Sequence, residues 1–436
     1  MLFRMPVKKG RRAMPCHSII HAFCLLTLAF GSTLALAGEK PLTLSKALSR
    51  AMAQNPGLQV FDFRLQGLDG RRITADQNPA LEAGLEVENF LGSDNLRGVD
   101  GAEYTLSLSS VLELGGKRQA RVSVVDSLYG RVEAERRAET LDLLGQATQR
   151  FVATLALQEK LQLAAEAVAL AEATHEIVTR RADRGAAPQA EVLRARAALT
   201  QSRIEQSRLR AAYESRKMAL ASLWGDTSPD FQMLEGDLFQ FGSSDNFDAL
   251  YQRVSDSPAI QIYASEQRIR EAEIQLARSQ SESDIRWQVG VRRFEETDDT
   301  GLTAGLSVPL FSGRRNRGEV QAALAARDEV RFRREDTLLR LHSRLFDAYH
   351  LRQQSIETVE QIRSQMLPDL TEALTQTREA YENGRYSYVE WTAAQRELLS
   401  ARQALVDAAT TALLNQALIE QLTAQPLVAV PGAPTR

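Results

Sequence analysis

Cysteine is nearly absent. The 436 residues contain two, Cys16 and Cys24, and nothing after position 24 can form a disulfide or do thiol chemistry. Aromatics are also scarce, at 6%, which argues against ordinary globular domains. Basic residues do not outnumber acidic ones (53 against 56, net charge −3), so no basic surface suits a nucleic acid. Proline is missing from Lys117 to Arg181, and glycine is rare there. No phosphate-binding glycine loop and no nucleophile elbow occur. No cofactor is expected.

What is present begins with a leader. Arg4, Lys8, Lys9, Arg11 and Arg12 precede an apolar stretch from Ile19 to Phe30, and Ala35 and Ala37 offer small residues for cleavage before Gly38. This is the pattern of a secretory signal over 1–37. A membrane anchor is the competing reading, disfavoured because the stretch is short and carries His21. Cleavage removes five positive charges and no acid, taking the net charge from −3 to −8, and removes both cysteines. Neither cysteine sits at the cleavage point, so lipid attachment is not indicated.

The rest is one unit written twice. "ALSRAMAQNPGLQVF" (47–61) aligns with "ALYQRVSDSPAIQIY" (249–263), "LELGGKRQARV" (112–122) with "PLFSGRRNRGE" (309–319), and "RADRGAAPQAEVLRA" (181–195) with "YENGRYSYVEWTA" (381–393). The offsets are 202, 197 and 199 residues, differing only by small loop changes. The expected organisation is a first repeat over 38–245, with a hairpin at about 83–112 and a tip at 183–188. A second repeat covers 246–425, with a hairpin at about 284–311 and a tip at 382–387, and a tail follows at 426–436.

Each repeat opens with an expected helix (about 43–78 and 246–281) and then switches to period two, the signature of half-buried strands. Leu85 and Val87 alternate with Glu86 and Glu88, and Tyr104, Leu106 and Leu108 with Thr105 and Ser107. Ile285, Trp287, Val289 and Val291 alternate with Arg286, Gln288 and Gly290, and Leu302, Leu306 and Val308 with Thr303, Gly305 and Ser307. Two readings fit. Either these are surface hairpins packed on helices, or they are a membrane β-wall, apolar toward lipid and polar toward a lumen. Polar loops at 92–100 and 295–300 suit an aqueous exterior. Four strands cannot close a barrel, so a barrel requires several copies.

A glycine turn follows each hairpin. Gly115, Gly116 and Gly313 are expected to supply backbone angles that other residues resist. The basic residues after them either meet anionic lipid headgroups or begin a solvated helix, and the pattern leaves both open. Helices of unusual length follow, from Lys117 to about Arg181 and from about Arg317 to Asn383, the second interrupted only by Pro368. Leu144, Phe151 and Leu155 recur at heptad-like spacing among alanines, which suits antiparallel coiled-coil packing. Each long helix reverses at a glycine, Gly185 or Gly384, into a partner helix (about 188–224 and 387–423).

The duplicated helix–hairpin–long-helix–tip–helix plan resembles the TolC-type outer-membrane efflux channels over residues 40–425. The strings "VENF" (87–90), "LELGGKR" (112–118), "LSVPLFSGRRNRGE" (306–319) and Asn55-Pro56 are most similar to the heavy-metal, CzcC-like branch. The resemblance implies a mainly α fold with a β-barrel portion. Three copies would form a 12-stranded barrel in the outer membrane and a helical barrel crossing the periplasm. It implies as partners the homotrimer itself, outer-membrane lipid, a periplasmic adaptor and an inner-membrane pump of the resistance-nodulation-division type. It assigns adaptor docking to Gly185, Ala186, Ala187, Gly384, Arg385 and Tyr386, although glycines at 185 and 384 end helices in any case. The family's second-repeat acids fall on Glu390 and on Ala393, so only the first is kept. Glu191 and Glu390, joined by Asp183 and Glu382, are the candidates for an acidic ring, which favours cations. The same acids are equally consistent with solvated surface.

His175, His342 and His350 remain after cleavage, and His342 and His350, eight apart, could share a helix face. Two ligands do not make a metal site, and no metal site or catalytic residue is expected. The leading function is a passive exit duct for heavy-metal cations. Against it stand a duct for drugs, organic solutes or secreted polypeptide, and, from another class, a periplasmic coiled-coil scaffold or adaptor.

Overall fold

The computed structural model describes residues 41–94, 97–243 and 245–425. The leader expected at 1–37 and the tail at 426–436 lie outside them. A two-residue strand β1 (Leu42–Thr43) leads into helices α1 (Leu44–Gln54) and α2 (Pro56–Ala75), then strands β2 (Glu82–Glu88) and β3 (Glu103–Leu112). Helices α3 (Lys117–Asp183) and α4 (Gln189–Ala221) form a long hairpin, and β4 (Leu234–Glu235) pairs parallel to β1. The second series runs α5 (Phe247–Ser255), α6 (Pro258–Ser279), β5 (Ile285–Phe294), β6 (Asp299–Ser307), a short α7 (Ser312–Arg315), α8 (Arg317–Gln361), α9 (Leu367–Glu382) and α10 (Tyr388–Thr423).

The opening helix of each repeat, expected unbroken, is broken in both. Proline has no N–H and clashes with the preceding turn. At Pro56 the chain leaves the helix at Asn55 (φ −67°, ψ 121°), whose side chain caps α2 by accepting the Gly57 N–H. Ser257, extended before Pro258, separates α5 from α6 in the same way. In contrast α3 is continuous for 67 residues, roughly 100 Å at 1.5 Å per residue. The second long helix is interrupted just before Pro368. The Leu367 N–H bonds the Ile362 carbonyl, five residues back, making a π turn over Ile362–Met366 ahead of α9.

Packing follows the alanine-rich seams. The largest core gathers Phe151, Val152 and Leu155 of α3 against Leu220 of α4 and Val406, Ala409 and Leu413 of α10, capped by Trp224, Phe231 and Leu234. A second core joins Leu250 and Val254 of α5 to Leu341 and Leu345 of α8. His342 stands edge-on to Phe247 and Tyr251, and His350 packs on Phe346 and Tyr349.

The strands form one antiparallel sheet in the order β2-β3-β5-β6. The ladder from Glu103↔Phe294 to Leu112↔Ile285 joins the first hairpin to the second, leaving β2 and β6 as edges with no partner strand among the described residues. Strand β6 begins at Asp299, inside the loop expected at 295–300, and ends at Ser307. Val308, expected on a strand, therefore lies just beyond it.

Gly290 sits where β5 crosses β3 most closely. A Cβ there would lie 2.7 Å from the Leu106 carbonyl oxygen and 3.2 Å from Ser107 Cα, both backbone atoms that cannot rotate away. Gly290→Val is expected to destabilise the sheet by about 1–3 kcal/mol. Gly305→Val, whose nearest neighbour would be Gln288 Cβ at 3.9 Å, should be tolerated. Heat resistance of the folded, membrane-inserted protein on gels compares the two.

Candidate functional site

Register converts the alternating strands into two faces. Leu85, Leu106, Val291 and Leu302 lie in one row across all four strands, and Leu108 and Val289 with alanines 83 and 304 in the next. Trp287 and Leu306 form a further pair on this face, and Ile285 pairs with Leu112 at its lower end. Val87 and Tyr104 pair at the opposite end, beside Arg293 and Thr300. Nothing among the described residues covers this face: Leu302 is 89% exposed, and Leu85, Leu106, Leu108, Val289 and Leu306 are exposed with it. A continuous apolar face of this size in a single copy marks a surface that meets lipid or another chain. The surface-hairpin reading, which needs one face packed on helices, does not fit it.

The opposite face is polar and charged. Arg292 pairs with Glu88 and Glu103 at 2.9 Å each and donates to the Thr105 hydroxyl at 2.9 Å, stitching β2, β3 and β5 together. Arg286 faces Glu82 at 3.9 Å. Glu86 lies in the row of Thr105 and Arg292. On the polar face of these three strands the carboxylates at 82, 86, 88 and 103 outnumber the guanidiniums of Arg286 and Arg292, Arg293 lying on the other face. The sequence reading recognised the alternation but not the Arg292 cluster, because its members are distant in the chain and become neighbours only through the β3–β5 ladder.

Below the sheet the chain turns into its long helices. Gly115 and Gly116 both have φ of 70°, and a Cβ at Gly115 would fall 2.6 Å from Glu282 Cγ, so glycine is required there. Lys117, itself buried, binds Asp284 at 2.6 Å and the Glu282 carbonyl at 2.8 Å. Gly313 departs from expectation. It lies inside α7 with ordinary helical angles, and the left-handed residue of the second turn is Phe311 (φ 63°), which precedes α7. The second turn makes its reversal two residues earlier and then winds directly into helix.

At the far end two helix reversals sit side by side. Gly185 and Gly384 both have φ of 72°; Ala186 donates back to the Arg181 carbonyl and Arg385 to that of Ala380, the bonds of a glycine-terminated helix. Arg181 ties the reversals together. Its guanidinium donates to the Glu382 carbonyl at 2.6 Å and the Ala186 carbonyl at 3.2 Å, and stacks 4.7 Å over the Tyr381 ring. Tyr381 donates to the Glu191 carboxylate at 2.9 Å and stacks on Trp391. Burial, then the neighbouring Glu191 carboxylate, raises the Tyr381 hydroxyl well above its ordinary pKa. Ile177, Val178, Ala195 and Tyr388 complete the cluster.

The four candidate acids therefore differ. Glu191 is held by Tyr381. Glu382 pairs with Arg378 at 2.9 Å, and Asp183 is the exposed last residue of α3. Glu390 caps α10, accepting from the Ser387 N–H at 2.7 Å and the Ser387 hydroxyl at 2.9 Å, while Ser387 Oγ accepts the Glu390 N–H. This reciprocal capping box holds the Glu390 carboxyl below its usual value of 4.5, mainly through the Ser387 N–H. Its contribution is full above the ordinary glutamate pKa and fades as pH falls through the lower, folded value. Protection of the 387–391 amides, corrected for intrinsic exchange, should fall only in that acidic range, and in Glu390→Ala at every pH. Ala186, Arg385 and Tyr386 are exposed at the reversals, Ala187 half so. Arg181 was missed in the sequence reading, where it was simply the end of a helix.

Among the described residues no group of three or more His, Cys, Asp or Glu side chains is placed to hold a metal ion. No described helix is long and apolar enough to cross a membrane. A four-stranded sheet with an open apolar face, set on helices of roughly 100 Å ending in paired reversals, defines a channel-forming protein that contributes staves to a shared barrel. The chain belongs to the outer membrane efflux protein family, whose profile it matches over residues 47–226 and 249–425. It is 25% identical over 362 residues to the cobalt-zinc-cadmium resistance protein CzcC of Cupriavidus metallidurans, covering 83% of this chain and 85% of that one. It is also 25% identical over 324 residues to the nickel-cobalt-cadmium resistance protein NccC of Alcaligenes xylosoxydans, covering 72% and 70%. The crystal structure of the channel protein CusC superposes with a TM-score of 0.71 over 88% of this chain and 92% of that one, at 19% identity. The fold is that of a TolC-like outer-membrane channel, and the scaffold reading is set aside.

Proposed function

We propose that three copies of this chain form the outer-membrane duct of a three-part efflux assembly and pass heavy-metal cations out of the cell. The observation that carries this is the sheet, with its uncovered apolar face and two free edges, β2 and β6, that other copies can pair. Each copy contributes two repeats, 38–245 and 246–425. The metal cargo follows from the named substrates of the similar resistance proteins and fits the acidic excess of the polar face, since carboxylates lining a pore favour cations. The duct is passive, with no reaction of its own, and metal ions pass as cargo rather than as residents. The helix reversals around Gly185–Ala187 and Gly384–Tyr386 dock a periplasmic adaptor, which joins the duct to an inner-membrane pump. Glu191, Glu390, Asp183 and Glu382 place negative charge at this entrance.

Single-channel recording in planar bilayers tests the duct. Discrete cation-selective openings are expected from wild type, with selectivity reduced in Glu390→Ala. A strain lacking the gene should become sensitive to cobalt, zinc or cadmium and recover with the plasmid-borne copy. Unchanged metal tolerance with raised sensitivity to organic compounds would reassign the cargo and leave the duct intact.

A further inference from the structure

The two strand-to-helix turns have similar sequences and opposite electrostatics. In the first repeat each cation is answered from within the chain: Lys117 by Asp284, Arg118 by Asp76 at 3.5 Å and Arg121 by Glu113 at 2.6 Å. In the second, Arg314, Arg315 and Arg317 are all exposed, and none has an ion-pair partner among the described residues. Immediately before them Leu310 and Phe311 are 72% and 76% exposed. Phe311 also holds a left-handed backbone (φ 63°), a conformation costly for a bulky side chain and commonest where it serves a purpose.

The turn that presents these residues is firmly held. The Ser283 hydroxyl donates to the Pro309 carbonyl at 2.7 Å and meets the Ser312 hydroxyl at 3.0 Å. The Asn316 amide donates to the Ala277 carbonyl and, at 3.1 Å, to Ser281 Oγ. Residues 309–316 are thus pinned to the end of α6, and Phe311 is turned outward from a rigid base. Val308 and Leu310 continue the alternation of Leu302 and Leu306, so the apolar face of β6 runs unbroken onto the turn. The arginines follow within six residues, on the side of the long helices.

We propose that residues 308–317 bind the anionic phospholipid headgroups of the periplasm-facing leaflet, one site in each copy. Leu310 and Phe311 enter the acyl region, and Arg314, Arg315 and Arg317 take the phosphates. An apolar and aromatic band followed by cations is the order in which a membrane interface is met from its core outward, and guanidinium forks match phosphate oxygens. The first repeat supplies the contrast: its cations are already neutralised, and it offers no such site. The inference rests on reading the chain as an outer-membrane channel.

The test uses the full-length protein, delipidated in detergent and titrated with phosphatidylglycerol or phosphatidylethanolamine, with bound lipid counted by native mass spectrometry. Each arginine near an anionic lipid surface is worth about fivefold in binding. The triple variant Arg314→Gln/Arg315→Gln/Arg317→Gln should therefore lose phosphatidylglycerol affinity by roughly a hundredfold and keep phosphatidylethanolamine. Arg118→Gln should bind like wild type. Phe311→Gly, which relieves the backbone and removes the ring, should weaken both lipids. Equal phosphatidylglycerol retention by wild type and triple variant overturns the proposal. So does a triple variant that falls apart into single copies with lipid retention per copy unchanged, since the arginines would then bridge neighbouring copies. Wild type that conducts in bilayers but retains no anionic lipid removes this site alone; wild type that neither conducts nor retains lipid removes the channel reading with it.

Discussion

Replacing Leu106 with arginine is expected to abolish assembly of the membrane wall. Leu106 sits mid-strand in the row Leu85, Leu106, Val291, Leu302, far from either polar end of the sheet. A cationic side chain on the lipid face at mid-depth costs about 2–4 kcal/mol. The row repeats in every copy, so three substitutions in a trimer would cost roughly three times that, of the order of a whole domain's stability. Ser109→Arg is the control. It lies on the same strand but on the polar face, paired with Glu82 and Gln288, where a guanidinium gains a carboxylate neighbour. Outer-membrane fractions blotted for heat-resistant oligomer should show the first variant missing and the second present. If Leu106→Arg assembled as well as wild type, the apolar face would not meet lipid.

That contrast was readable in advance because strand alternation is local: a period of two states which residues share a face, whatever the fold around them. The long helix from Lys117 was legible for a related reason, since helix formers at heptad-like spacing run through it without a proline. The breaks at Asn55–Pro56 and Ser257–Pro258 were equally local, yet a helix was expected through both, the effect of each proline on the residue before it, and the Asn55 side-chain cap, being overlooked. Other features could not be read from the chain alone. Arg292 gains its partners through a ladder between strands some 180 residues apart in sequence, and Arg181 reaches Glu382 across 201 residues. The expected role of Gly313 failed because likeness of sequence was taken for likeness of backbone. Its neighbour Phe311 adopts the left-handed angles that glycine takes in the first repeat.

The two helix reversals are alike in backbone and unequal in side chains. Each ends its long helix with the same glycine geometry, but the side chains divide the work. The first repeat supplies Arg181 and Glu191, and the second supplies the aromatic stack of Tyr381, Tyr388 and Trp391 that they bind. The two reversals are therefore complementary rather than equivalent, and neither could be replaced by a copy of the other.

Trp391→Ala follows from this as the second large effect. Trp391 is 1% exposed and packs against Tyr381, which in turn holds both Arg181 and Glu191. Truncating a buried tryptophan typically costs about 3–5 kcal/mol, and this one lies at the end of the helices, where few other contacts share the load. The expected result is local: amide exchange over 174–200 and 374–400 rises by orders of magnitude, while the sheet and the main core keep their protection. On the proposed function, membrane insertion should survive and metal export should fail, because the two reversals are no longer presented together. Trp391→Phe separates packing from hydrogen bonding. The Trp391 Nε1 has no hydrogen-bond partner among the described residues, so phenylalanine removes an unsatisfied buried N–H while keeping the stacked ring, and export should be largely restored. Tyr381→Phe, which removes only the hydroxyl donated to Glu191, should cost about 1 kcal/mol and leave export nearly intact. Unchanged exchange at the reversals in Trp391→Ala would mean that the backbone turns and Arg181 alone hold the two reversals together, and the aromatic stack would lose the role assigned to it.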